Sequence, residues 1–232
     1  MNKVFESPAD AVADVFNGAT ILVGGFGGCG DPFNLMNALL QRGVKDLTIV
    51  GTGPAEWGPF VQNGAARKII SGFTNHPLQG EITVMIEELI RSGKLEAETV
   101  PHGILEERIR AAGAGLTAFY SPVGVGTTLE IGKEKRFIDG QECLLEYALK
   151  ADFALVKGYQ GDCFGNIVCR LAAGNRNITM ATGAKITIAE VEEIVQTGQL
   201  DPNRIDIPGI FVDRVVKVPK IVRWLVSKEI LA

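Results

Sequence analysis

Residues 20–35 read TILVGGFGGCGDPFNL, and this stretch decides the fold. An apolar run, Ile21, Leu22 and Val23, ends in five glycines within seven residues: Gly24, Gly25, Gly27, Gly28 and Gly30. Asp31 and Pro32 follow, and then Phe33, Leu35, Met36, Leu39 and Leu40 recur at helical spacing. The order is strand, glycine loop, helix. Glycine admits positive φ and lets a ligand come close to the backbone. Asp31 reads as the N-cap and Pro32 as the first helical residue. Such a helix start, with free backbone N–H groups beside it, attracts phosphate or carboxylate. The plainer reading is a tight strand-to-helix turn that binds nothing, since a glycine loop alone is a weak signal.

On either side of this loop the chain keeps alternating. Ser7, Pro8 and Asp10 start a short helix expected to run to about Phe16, where Asn17-Gly18 ends it. Strands are expected at 47–50 and 68–71, with a short helix over 60–66 between them. Apolar residues at Ile82, Met85, Ile86, Leu89 and Ile90 place a helix over 81–92, closed by Gly93. A strand over 95–100 and a helix over 105–112 follow. Strands alternating with helices across short loops imply an α/β fold, a mostly parallel sheet covered on both faces. Ligands of such sheets sit outside the C-terminal strand ends.

Beyond this point the pattern changes. Residues 113–126 carry four glycines and Ser121-Pro122, and read as a long loop. Asp139-Gly140 marks a hairpin. Further strands are expected at 151–158, 167–169, 185–189 and 210–218. Glu190, Glu192 and Glu193 read as a solvated acidic face. The tail, 219–232, has the spacing of a short amphipathic helix.

Composition excludes several classes. The 232 residues carry 23 basic and 27 acidic side chains, a net charge of −4. With no basic block, nucleic acid is not an expected partner. No apolar run is long enough to span a bilayer, and MNKVFESPAD lacks the apolar core of a signal peptide. Cys29, Cys143, Cys163 and Cys169 show no CxxC spacing, so neither a metal site nor a disulfide framework is expected. A reduced, cytoplasmic protein is the expectation.

Few residues carry chemistry on their face. There are two histidines, His76 and His102. His102 falls after a strand and before a helix, where it can hydrogen-bond a carbonyl or carboxylate, or shuttle a proton near neutral pH. Glu56 lies in a loop at another strand end and is a candidate base or nucleophile. Cys29, inside the glycine loop, is a candidate low-pKa thiol, with packing as its plainer role. Glu106 and Glu107 read as an exposed helix face. There is no serine nucleophile elbow, Walker loop or metal signature.

Taken together, several motifs resemble the A subunits of family I CoA-transferases. Gly24-Gly25-Phe26-Gly27, Cys29-Gly30 and Pro32 resemble the family's GGFG-x-C-G-x-P loop. Residues 107–115, ERIRAAGAG, resemble its ERIRAGGAG, and residues 119–127, FYSPVGVGT, its FYTPTGYGT. Residues 151–157, Gly165-Asn166 and residues 208–212 also match, in order, from about Phe5 to Val218. The resemblance implies a Rossmann-like α/β fold shared with sugar-phosphate isomerases, with 1–218 as one A-subunit domain and 219–232 as a tail. It implies a B-subunit partner, in a heterodimer or heterotetramer, and coenzyme A as substrate rather than as a tightly bound cofactor. CoA passes from an acyl-CoA to a free short-chain acid, 3-oxo acids included, through a glutamyl-CoA thioester. The nucleophilic glutamate belongs to the partner, so no catalytic residue is expected in this chain. The resemblance assigns CoA binding to the loop: Gly24, Gly25, Phe26, Gly27, Gly28, Cys29 and Gly30. It places Thr52 and His102 near the acyl site and matches Asn34; these three, with Trp57 read as an added aromatic wall, are the expected substrate-pocket residues. Two departures stand out. Thr52-Gly53 replaces the family's Asn-Asn or Asn-Asp, and Pro101-His102-Gly103 replaces Pro-Gln-Gly, so the donors facing the acyl group differ. The alternatives are a thioester or ring-opening hydrolase on the same scaffold, or a CoA-binding subunit with no catalytic part.

Overall fold

The computed structural model describes residues 2–74 and 80–218; His76 and the tail at 219–232 lie outside the described residues. In chain order the elements are β1 (Val4–Phe5), α1 (Pro8–Ala11), β2 (Thr20–Val23), α2 (Phe33–Arg42), β3 (Leu47–Gly51), α3 (Pro54–Gln62), β4 (Ala66–Ser71), α4 (Gly80–Arg91), β5 (Glu96–Thr99) and α5 (His102–Gly113). Then come β6 (Ala118–Ser121), β7 (Lys135–Ile138), β8 (Gln141–Tyr147), β9 (Ala151–Gly161), β10 (Ile167–Val168), α6 (Asn177–Thr182), β11 (Ala184–Ile194) and β12 (Arg214–Lys217).

The main sheet runs β1-β12-β11-β9-β2-β3-β4-β5, all neighbours parallel, with β10 added antiparallel to β9. β2 and β9 lie side by side at its centre. From β2 the chain steps outward through β3, β4 and β5; from β9 it steps the other way through β11 and β12. The crevice between them is a topological switch point, and the glycine loop leaves β2 there. Side-chain alternation along the strands builds two cores. Ile21, Ile49, Ile69, Phe153 and Leu155 face one layer, with Leu35 of α2, Phe60 of α3 and Ile86 of α4. Leu22, Val50, Ile70, Ala154 and Val156 face the other, with Leu105 and Ile109 of α5 and Met180 of α6. The α/β, mostly parallel architecture expected from the alternation is what forms.

Several local expectations are corrected. α1 stops at Ala11 because the Ala11 carbonyl accepts from Arg214 Nη1 at 2.7 Å, in place of a further helical turn. α3 starts at Pro54, earlier than expected, because Gly53 N–H donates to Glu56 Oε2 at 2.7 Å and closes the first turn. Within the expected loop 113–126, β6 forms by pairing antiparallel with β8, itself paired with β7 across the Asp139-Gly140 hairpin. Residues Gly209–Phe211 form a single 3-10 turn, and the last strand is confined to Arg214–Lys217. Among the described residues, no helix is long and apolar enough to cross a membrane.

Candidate functional site

The glycine loop folds on itself. Phe26 N–H donates to Cys29 O at 3.0 Å and Cys29 N–H to Phe26 O at 3.1 Å. Gly27 and Gly28 between them both have positive φ, +59° and +87°, which only glycine adopts without strain. The loop's underside is closely packed. A Cβ on Gly24 would stand 2.0 Å from Asn177 Oδ1, and one on Gly25 only 1.7 Å from Asp31 Oδ1. Asn177 stitches the loop to its neighbours: its amide donates to Gly30 O at 2.9 Å, and its Oδ1 accepts from Lys157 N–H at 2.9 Å. On the outer side, Gly28, Cys29, Gly30, Lys157, Arg170 and Leu171 line a cavity of about 280 Å³.

Asp31 does not cap α2. Pro32 takes the cap position without a side-chain bond, and the Asp31 carboxyl turns inward, 4% exposed, with no hydrogen-bond partner on either oxygen. The anion at the start of α2 is instead Glu190 from β11, whose Oε2 accepts from Leu35 N–H at 2.9 Å. Its Oε1 accepts from Asn34 Nδ2 at 3.2 Å and faces Lys157 Nζ at 3.3 Å. The reading of Glu190 as a solvated acid is therefore wrong: Glu190 is 1% exposed and is ion-paired inside the sheet. Glu192 pairs with Arg170 and Glu193 with Gln160 nearer the surface. Burial pushes Glu190 up; Lys157 and the Leu35 amide pull the other way. Helix starts that the sequence offers to a ligand anion are thus already supplied by the chain's own carboxylates, Glu190 at α2 and Glu56 at α3.

Glu56 lies wholly inside the protein. Its Oε1 has no partner, and burial raises its pKa to about 7 against the pull of the Gly53 amide and Arg176. Asp31 is raised further, to about 8, by burial and then by the charges of Glu56 and Glu190. Arg176, 7% exposed, closes this chamber: Nε donates to Glu106, Nη1 to Thr52 Oγ1, and Nη2 has no partner. Glu106 is accordingly an ion-pair partner rather than a bare surface acid. Among the described residues, the buried side-chain atoms without partners are Asp31 Oδ1 and Oδ2, Glu56 Oε1 and Arg176 Nη2, all in this one chamber beneath the glycine loop.

Thr52 joins the chamber to the mouth of the crevice. Its Oγ1 faces Gly25 O at 3.5 Å and takes the Arg176 donor. Its carbonyl accepts from Ser71 Oγ at 2.7 Å and Phe73 N–H at 3.1 Å, with His102 Nε2 at 3.4 Å. The His102 ring lies between two phenyl rings, Phe73 at 4.7 Å and Phe26 at 5.8 Å. Gly72 permits this, since a Cβ there would stand 2.1 Å from the imidazole. Trp57 belongs to the core instead: it is fully buried, and its indole N–H donates to Ser71 Oγ at 3.0 Å and Phe73 O at 3.2 Å. It shapes the mouth only through those two residues. The structure thus gathers the loop, Thr52 and His102 into one place, while Asn34 is turned to Glu190. Sequence reasoning missed Asp31 as a buried acid, Arg176, Lys157 and Phe73; each is placed by tertiary packing, with no local pattern to reveal it.

The coenzyme A transferase family model matches residues 5–218. The A subunit of the 3-oxoadipate CoA-transferase of Pseudomonas putida is 45% identical over 234 residues, 99% of this chain and 100% of that one. The A subunit of a probable succinyl-CoA:3-ketoacid coenzyme A transferase of Bacillus subtilis is 42% identical over 93% of this chain and 90% of its own length. The fold superposes on a crystal structure of an acyl-CoA transferase from Escherichia coli O157:H7 with a TM-score of 0.81 at 22% identity, over 96% of this chain and 48% of that longer one. By its motifs, its fold and these matches, the chain belongs to the coenzyme A transferase family.

Proposed function

We propose that this chain is the A subunit of a heteromeric, cytoplasmic CoA-transferase, with residues 1–218 acting as one unit beside a B subunit. The A-subunit names of its relatives support this reading. One structural observation carries the division of labour. Glu56, the sequence's candidate nucleophile, has no exposed surface and is tied to the Gly53 amide that starts α3. It cannot meet a thioester carbonyl without dismantling that turn.

The resemblance to family A subunits places the attacking carboxylate on the partner, and the burial of Glu56 accords with that. That glutamate displaces CoA thiolate from the acyl-CoA to give an acyl-glutamyl anhydride. The thiolate then attacks the glutamyl carbonyl, releasing the first acid and leaving a glutamyl-CoA thioester. A second acid reverses the sequence and takes the CoA. This chain contributes the glycine loop, which meets the CoA end, and the Thr52–His102 wall, which meets the acyl end.

The test is exchange between succinyl-CoA or acetyl-CoA and a panel of free acids, with this chain alone and with its co-expressed B subunit. Exchange that needs the partner, and that borohydride blocks only after acyl-CoA addition, is the expected result. Exchange by this chain alone overturns the assignment. Loss of acyl-CoA with no acid acceptor present supports the hydrolase alternative instead.

A further inference from the structure

A guanidinium has no acceptor, so where it meets a hydroxyl the direction of the hydrogen bond is fixed. Arg176 Nη1 donates to Thr52 Oγ1. The Thr52 oxygen accepts there and keeps its own proton to give elsewhere. That proton faces Gly25 O at 3.5 Å. Hydroxyl hydrogen bonds to oxygen run near 2.8 Å, so Gly25 is a poor acceptor for a donor on a residue only 3% exposed.

The surroundings hold this donor in place. Arg176 is buried, and its Nε donates to Glu106 of α5, which fixes the guanidinium. The Thr52 main chain is fixed as well, since its carbonyl accepts from Ser71 Oγ at 2.7 Å and from Phe73 N–H at 3.1 Å. Residue and partner are tied down, and the hydroxyl proton is the group without a good use.

Electrostatics favour negative charge at that proton. A hydroxyl that accepts from a cation is polarised towards donating. The guanidinium acts on it in a nearly dry setting, where charge is felt more strongly than in water. Asp31 and Glu56 below it are held towards their neutral forms by burial and do not cancel it. Glu106 balances the cation from the side nearer solvent, with 27% of its side chain exposed.

We propose that the Thr52 hydroxyl is the oxyanion donor of the acyl-transfer steps, and that Arg176 is its positioning residue. The proposal rests on the transferase reading above. When the partner's glutamate oxygen bonds to the thioester carbon, the carbonyl π pair moves onto oxygen. Thr52 donates a hydrogen bond to that oxygen and keeps its proton. The pair returns as the carbon–sulfur bond breaks and CoA leaves as thiolate. Where the family carries an asparagine amide, a hydroxyl aimed by an arginine supplies the donor.

The experiment uses the complex of this chain with its B subunit. Thr52→Val keeps the shape and loses the donor. It is expected to lower kcat and kcat/KM together, about 100- to 1000-fold, with KM little changed. Thr52→Ser restores most of the rate, and Arg176→Lys gives an intermediate loss. Infrared difference spectra of a bound CoA analogue, with a ketone in place of the thioester, read the hydrogen bond without turnover. The carbonyl band is expected at lower frequency in wild type and Thr52→Ser than in Thr52→Val. Thr52→Ala serves in the same comparison where Thr52→Val does not fold. A raised KM with kcat intact in Thr52→Val, or one carbonyl frequency in all three proteins, overturns the proposal. So does a wild-type complex that does not bind the ketone. No exchange by the wild-type complex with any acid defeats the transferase reading, and the carbonyl band then still decides the role of Thr52.

Discussion

Leu35 N–H donates to Glu190 Oε2 at 2.9 Å, so helix α2 is capped by a strand residue 155 positions away. The same carboxylate faces Lys157 Nζ at 3.3 Å, with 8% of the lysine and 1% of the glutamate side chain exposed. One group therefore holds a helix start, an ion pair and, through Asn34, the first turn after the glycine loop. Glu190→Ala removes the cap and strands a buried ammonium, and is expected to cost about 3–5 kcal/mol. Replacing both partners, Lys157→Met with Glu190→Leu, is expected to cost less than the single change, because no charge is then left unpaired. Urea unfolding midpoints of the three chains check the order, and a double variant weaker than Glu190→Ala would show that the stranded ammonium of Lys157 is not the main cost of the single change.

The buried acids give the chain a pH dependence of definite sign. Asp31 and Glu56 hold protons in the folded state to about pH 8 and about pH 7, pushed up first by burial, whereas in the unfolded chain they lose them near 4. Between those limits the folded state binds more protons than the unfolded one. Their contribution therefore falls as pH rises from about 4 to about 8. Asp31→Asn removes one of the two. Relative to wild type it is expected to gain up to about 4 kcal/mol between pH 5 and pH 8, at about 1.4 kcal/mol for each pH unit over which folded Asp31 keeps a proton that the unfolded chain has lost. Denaturant midpoints at the two pH values measure the difference, and a variant that instead loses ground at pH 8 would mean that Asp31 is stabilising as an anion.

The loop glycines separate into two kinds. Gly27 has φ +59° with nothing within 4 Å of a would-be Cβ, so Gly27→Ala costs only the left-handed backbone, about 1–2 kcal/mol. Gly25 has φ +104° and would place a Cβ 1.7 Å from Asp31 Oδ1. Gly25→Ala must displace a buried carboxyl as well, and is expected to cost about 3 kcal/mol or more. Adding Asp31→Ala to it should recover part of the loss by emptying the space. Equal costs at the two positions, measured by thermal unfolding, would mean that the loop moves freely away from Asp31.

How much of this is legible in the sequence follows from the range of each interaction. The strand–glycine–helix order and the alternation of apolar runs are local patterns, so they reveal the main parallel sheet and the position of the loop at its switch point. They also reveal the place of Thr52 and His102, each at a strand end. Glu190 is different. Residues 190–193 look like a surface cluster, and only the pairing of Glu190 opposite Lys157 in the β9–β11 register buries it. Asp31 has the sequence of a cap, but Pro32 occupies the cap position and turns the carboxyl inward. The ring of Trp57 suggests a pocket residue; buried in the core, it reaches the crevice mouth only through the hydrogen bonds of its indole N–H, which no sequence pattern encodes. The four-residue β6 is too short for alternation to register, and exists because β8 pairs with it.

Arg176 ties the chamber to the wall, and its charge and its hydrogen bonds can be separated by substitution. The guanidinium charge lowers the Glu56 pKa against the larger effect of burial. Arg176→Met removes charge and donors together. Glu56 then holds its proton to higher pH, and the fall in stability with pH extends upward with it. Arg176→Lys keeps the charge, so the pH profile should stay near that of wild type, but a single ammonium cannot serve Glu106 and Thr52 in the planar arrangement of the guanidinium. The lysine variant should therefore show the wild-type pH profile with a looser Thr52, read as faster amide hydrogen exchange at Phe73, whose N–H is held by the Thr52 carbonyl. If both variants shift the pH profile equally, the charge of Arg176 is not what Glu56 senses, and the chamber is held by geometry alone.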